Sequence, residues 1–74
     1  MMDNYFSPTK KIKMTMAAVG VNQTELAERL GQTKQAFGYK MKADSFKVAE
    51  LERIAKALGA EFEYHFILPN GTEI

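Results

Sequence analysis

Lys34, Gln35, Gly38, Tyr39 and Lys42 follow one another at gaps of one and three residues, which on a helix gathers all five on one outward face. Lysine brings an ammonium with three donors, glutamine a donor and an acceptor in one plane, and tyrosine a flat ring ending in a hydroxyl. Glycine leaves the backbone bare between them. This is chemistry for holding a partner that offers acceptors and negative charge. No Ser-His-Asp set, pair of active-site carboxylates or phosphate-cradling glycine loop occurs anywhere in the chain, so the expectation is a binding protein and not an enzyme. His65 is the one histidine and there is no cysteine, which leaves no donor set for a metal and no disulfide. His65 reads as a surface residue and the methionines as core fillers, with no cofactor expected.

The elements that must position this face come from the stretch NQTELAERLGQTKQAFGYKMK, residues 22–42. A short helical pattern runs from Asn22 or Gln23 with Leu26, Ala27 and Leu30 inward, and Asn22 with Glu25 has capping-box spacing. Gly31 takes φ > 0 at low cost and lets the chain reverse. Thr33 then caps a third helix whose inward residues are Phe37 and Met41. Two helices joined so closely must cross steeply, and the second protrudes with its N-terminal end forward, a shape that fits a DNA major groove.

Around this unit, Ser7-Pro8 opens a first helix with Ile12, Met16 and Val19 as its buried stripe and Gly20 as its stop. Its Lys10, Lys11 and Lys13 read as a solvated face, with contact to backbone phosphate as the alternative. Residues 43–45 form a loop, and Phe46 anchors it on the core. Val48, Leu51, Ile54, Ala55 and Leu58 make the stripe of a fourth helix that Gly59 ends. The period then changes to two: Phe62, Tyr64, Phe66 and Leu68 alternate with Glu61, Glu63, His65 and Ile67, predicting a half-buried strand over 61–68. Asn70-Gly71 is a hairpin-turn signal, so 72–74 can fold back as a second short strand.

The 74 residues, 46% of them apolar, suffice for one small domain over 1–74, with a helical core at 7–59 and a β tail at 60–74. No apolar run approaches a membrane span and no signal-peptide pattern opens the chain, so a cytoplasmic protein is expected. The net charge of +1 divides unevenly. Residues 1–44 carry seven cations and four anions, 7 − 4 = +3; residues 45–74 carry three and five, 3 − 5 = −2. Two readings stand, a polyanion-binding face and chance scatter of surface charge.

Gln23, Leu26-Ala27, Leu30-Gly31, Thr33 with Phe37, and the closing run LERIAKALG at 51–59 resemble the phage-repressor and Cro-like helix-turn-helix family of the xenobiotic-response-element type. The resemblance covers roughly residues 12–59. It implies a mainly α fold, a lambda-repressor-like bundle of four helices, here with a C-terminal β-strand or short hairpin. It also implies that Gln23 and Thr33 contact DNA phosphates, that Lys34, Gln35 and Tyr39 fall where base edges are read, and that Lys42 falls where the backbone is held. Gly38 would let the helix backbone approach a phosphate closely. Lysine suits guanine acceptors, glutamine suits adenine, and tyrosine can lie on a thymine methyl; the plain alternatives are solvated side chains, with Tyr39 lying over lysine stems. Two positions depart from the family: Met16 and Met41 stand where many members place an Arg–Glu pair, and Gln32 stands where the turn usually has an apolar residue.

The function expected is sequence-specific binding of double-stranded DNA by the helix-turn-helix at 23–42, as a transcriptional regulator, with repression favoured over activation. Alternatives are the antitoxin of a toxin–antitoxin pair, which adds a protein partner, and a protein-interaction adaptor on the same scaffold. The strand face of Phe62, Tyr64, Phe66 and Leu68 predicts a homodimer through the tail, the competing possibility being a hairpin closed within one chain.

Overall fold

The computed structural model describes residues 7–74, so residues 1–6 of the expected domain lie outside the described part. Four helices form, α1 at Pro8–Val19, α2 at Gln23–Arg29, α3 at Lys34–Ala43 and α4 at Val48–Ala57. Each start has a local cause. The Ser7 hydroxyl accepts from the Lys10 N–H, Asn22 and Glu25 make the reciprocal box, and the Thr33 hydroxyl accepts from the Ala36 N–H at 3.0 Å. Lys47 has no side-chain acceptor, so α4 keeps half a box, the Glu50 carboxylate taking the Lys47 N–H at 2.8 Å.

The helices bury one contiguous core. Ile12 and Met16 come from α1, Leu26 and Ala27 from α2, Phe37 and Met41 from α3, and Leu51 and Ile54 from α4, with Leu58 just beyond. Leu26 and Phe37 are fully enclosed. Met16 and Met41 are both buried, so apolar side chains fill the places that the resemblance gives to an ion pair. Phe46 is half-buried with its ring centroid 6.4 Å from that of Phe37. Two expected core residues are not in the core. Val19, last in α1, is exposed, and Val21 beyond the Gly20 turn packs on the core instead. Val48, first in α4, is exposed because Phe46 two residues earlier already covers that end.

Asp44 ties the ends together. It takes the left-handed conformation at φ 55° that stops α3, and its carboxylate accepts from the Ser7 hydroxyl at 2.7 Å and the Thr9 N–H at 2.8 Å. A negative group thus sits on the positive end of α1. Thr9 donates its hydroxyl to the Met41 carbonyl, and Arg29 donates to the Ala57 carbonyl at the end of α4.

The expected strand at 61–68 is not formed, and no sheet exists among the described residues. Ile67 and Glu73 make one isolated antiparallel bridge, flanked by hydrogen bonds between Phe66 and Ile74 and from the Leu68 N–H to the Thr72 carbonyl. A strand needs a partner along its length, and only residues 72–74 return to offer one. Phe62 turns onto the helical core, with Tyr64 beside it at 5.8 Å between ring centroids. The turn also differs from the sequence expectation. The Gly71 N–H donates to the Leu68 carbonyl, which makes Pro69 and Asn70 the central residues. Pro69 suits the first central position by its fixed φ, and Gly71, at φ +89°, takes the left-handed place that follows. Among the described residues no helix is long and apolar enough to cross a membrane.

Candidate nucleic-acid interface

The turn between α2 and α3 is closed by backbone hydrogen bonds alone. The Gly31 N–H donates to the Glu28 carbonyl and the Gln32 N–H to the Ala27 carbonyl, a Schellman ending that needs the left-handed Gly31 at φ +71°. Gln32 stays half-buried and its backbone makes the closing bond, so a polar residue there leaves the turn intact. α3 then starts from Thr33 with Phe37 and Met41 turned into the core. At 3.6 residues per turn, Lys34, Gln35, Gly38, Tyr39 and Lys42 fall within an arc of about 140°, centred roughly 110° around the helix from Phe37 and Met41.

The structure leaves the long side chains of that arc open. Lys34, Gln35, Tyr39 and Lys42 are exposed, Tyr39 by 75%, which is large for an aromatic ring with no role in the core. Gly38 and Gln23 are half-buried together: a Cβ placed on Gly38 would meet the Gln23 amide nitrogen at 3.7 Å. The Thr33 hydroxyl oxygen serves the helix cap, and its proton remains able to donate outward. Lys40, on the flank of α3, is paired with Glu50 of α4 and takes no part in the open face.

Gln23, Gln35, Gly38, Tyr39, Met41 and Lys42 share an open groove of about 340 Å³ that Lys13 of α1 also lines. Lys13 is the residue that the sequence left undecided among three lysines of α1. Here two of them separate: Lys13 lines the α3 groove, while Lys11 lines a different groove, beside Phe62. Lys11 and Lys13 stand about 200° apart around α1, and a single sequence does not say which of them the packing turns toward α3. Thr33 and Lys34 lie at the front end of α3 and do not line the groove. The groove wall holds two ammonium groups and two amides and no carboxylate, so its field favours an anion. Among the described residues no cluster of His, Asp and Glu could hold a metal.

The expected tail face is split. Phe62 is half-buried on the chain's own core, whereas Tyr64, Phe66, Leu68, Ile67 and Ile74 are exposed. The chain matches no family model, no curated protein and no solved structure. What the α3 face can do follows from its own residues and geometry.

Proposed function

We propose that the protein binds double-stranded DNA sequence-specifically and regulates transcription, as a repressor that occludes a promoter. The observation that carries this is α3 itself, anchored by Phe37 and Met41 and presenting Lys34, Gln35, Tyr39 and Lys42 to solvent. Long donor side chains held on a rigid helix are what base-edge reading in a major groove requires. Lys34, Gln35 and Tyr39 read bases; Gln23, Thr33, Gly38 and Lys42 set the register on phosphates. The resemblance to the phage-repressor and Cro-like family, carried by the same residues, supports the same assignment.

The protein acts as a homodimer whose contact is the exposed hairpin of Tyr64, Phe66, Ile67, Leu68 and Ile74, since that much exposed apolar side chain on one small tail favours association. A two-fold pair brings two copies of α3 to successive grooves about 34 Å apart. The test is a titration of duplexes selected from a random pool at several salt concentrations. The expected result is tight binding to a near-palindromic site, with log K falling linearly in log salt. Selection that enriches no sequence, together with absence of salt-dependent binding, would leave the scaffold a protein-interaction adaptor.

A further inference from the structure

Asn70-Gly71 stands out in the sequence for its turn, and neither the helical core nor the α3 face makes any use of it. The pair lies at the tip of the tail, with Pro69, Asn70, Gly71 and Thr72 all exposed. Gly71 has no side chain to shield its nitrogen, and even an added Cβ would meet nothing within 4 Å. The Asn70 carboxamide is turned onto the chain that follows it, its Oδ1 accepting from the Thr72 N–H at 3.0 Å. One bond opposes reaction between them: the Gly71 N–H donates to the Leu68 carbonyl at 2.8 Å. That bond belongs to a hairpin held by a single bridge between Ile67 and Glu73 and its flanking hydrogen bonds, and so short a two-stranded ribbon opens readily.

We propose that Asn70 is a self-modifying site, whose carboxamide closes onto the Gly71 nitrogen and loses ammonia at a rate set by opening of the hairpin. When the turn opens, hydroxide removes the freed Gly71 amide proton and the nitrogen attacks Cγ of Asn70. The N–Cγ bond forms and the Cγ–Nδ2 bond breaks. The leaving nitrogen takes a proton from water and departs as ammonia, which regenerates the hydroxide. The Thr72 N–H, in a contact that does not need the hairpin, donates to the oxygen that turns negative in between. Water then opens the cyclic imide at either carbonyl, giving aspartate or isoaspartate at position 70. Aspartate adds a negative charge. Isoaspartate also lengthens the main chain by a carbon inside the turn, so the Leu68–Thr72 and Phe66–Ile74 hydrogen bonds no longer align. The tail then loses the shape in which it holds a second copy, a consequence that rests on the homodimer reading; the modification itself does not.

The experiment ages the full chain in warm, mildly alkaline buffer and reads intact mass, released ammonia and methyl transfer to isoaspartate by an isoaspartyl methyltransferase. The mass change should be confined to the peptide that holds residues 70 and 71. Its rate should rise about tenfold per pH unit, as a step through a nitrogen deprotonated far below its pKa does. Asn70→Gln, which would have to close a larger ring, should react more slowly by about tenfold or more. Asn22 is the internal control: its Oδ1 accepts from the Glu25 N–H and Gln23 starts α2, so it should stay an amide. Urea that unfolds the chain should speed the reaction at Asn70 by about tenfold, the factor by which the closed turn protects the nitrogen. Chains carrying isoaspartate, separated from the parent, should lose hydrogen-exchange protection at the Phe66 and Ile74 amides and sediment as monomers.

An Asn70 that keeps its amide in the folded chain while urea releases ammonia from it would overturn the site in the native protein. Equal rates with and without urea would refute the control by hairpin opening, and equal reaction at Asn22 and Asn70 would refute the assignment to this turn. A parent that sediments as a monomer yet reacts at Asn70 would overturn the homodimer reading and leave the modification standing. Isoaspartate chains that pair as well as a dimeric parent would refute the effect on pairing.

Discussion

Asp44 has more influence on the fold than its place in a surface loop suggests. One side chain stops α3 in the left-handed region and caps α1 through Ser7 and Thr9, thirty-seven and thirty-five positions away in the chain. Asp44→Ala loses a cap and forces alanine into the left-handed region, at a combined cost of about 2–3 kcal/mol. Asp44→Asn keeps the left-handed tendency and an acceptor, so chemical denaturation should show it recovering most of that loss; equal midpoints for the two variants would contradict this role. At the centre of the core, Phe37 is fully buried against Phe46 and the α2 face. Phe37→Ala should cost about 3–5 kcal/mol, most of the stability of a domain this size. A thermal melt within a degree or two of the parent would mean that Phe37 is not the centre of the core.

At the scale of elements, the four helices were legible because their ends are chemical. Ser7, Asn22 and Thr33 cap where the sequence puts them, and Gly20, Gly31 and Gly59 all take positive φ. The outward face of α3 was legible for the same reason: Phe37 and Met41 fix its phase. Contacts between elements were not legible. The Asp44 link to α1, the choice of Lys13 over Lys11, and the exposure of Val19 and Val48 all depend on where helices cross, which no local period encodes. The tail failed differently. Alternation at 61–68 put Phe62, Tyr64, Phe66 and Leu68 on one half-buried face, yet only Phe62 packs on the core and the other three are exposed. A period of two says nothing about a pairing partner, and Pro69 reset the turn by one residue. The Gly31 turn gives an element-scale check. Gly31→Ala keeps every other contact yet strains the Schellman ending, and should lower stability by about 1–2 kcal/mol in urea unfolding; a variant as stable as the parent would argue against the left-handed turn.

At the scale of the whole molecule, on the proposed reading the basic groove beside α3 takes DNA and the exposed apolar tail takes a second copy of the chain. Deleting the residues after Gly59 removes the exposed hairpin and also Phe62, which packs on the core. The shortened protein should sediment as a monomer at micromolar concentration and bind its operator far more weakly, since two linked half-sites reinforce each other. A shortened protein that stayed dimeric would move the interface to the helices. The central claim, that α3 reads bases while its flanks hold phosphates, is tested most directly by comparing Gln35→Ala with Lys42→Ala on the selected operator and on its single-base variants. Gln35→Ala should cost about 1–3 kcal/mol and relax preference at one base position, whereas Lys42→Ala should weaken all sequences alike and flatten the salt slope by about one. Unchanged affinity and unchanged base preference in both variants would contradict the claim and remove α3 from the interface.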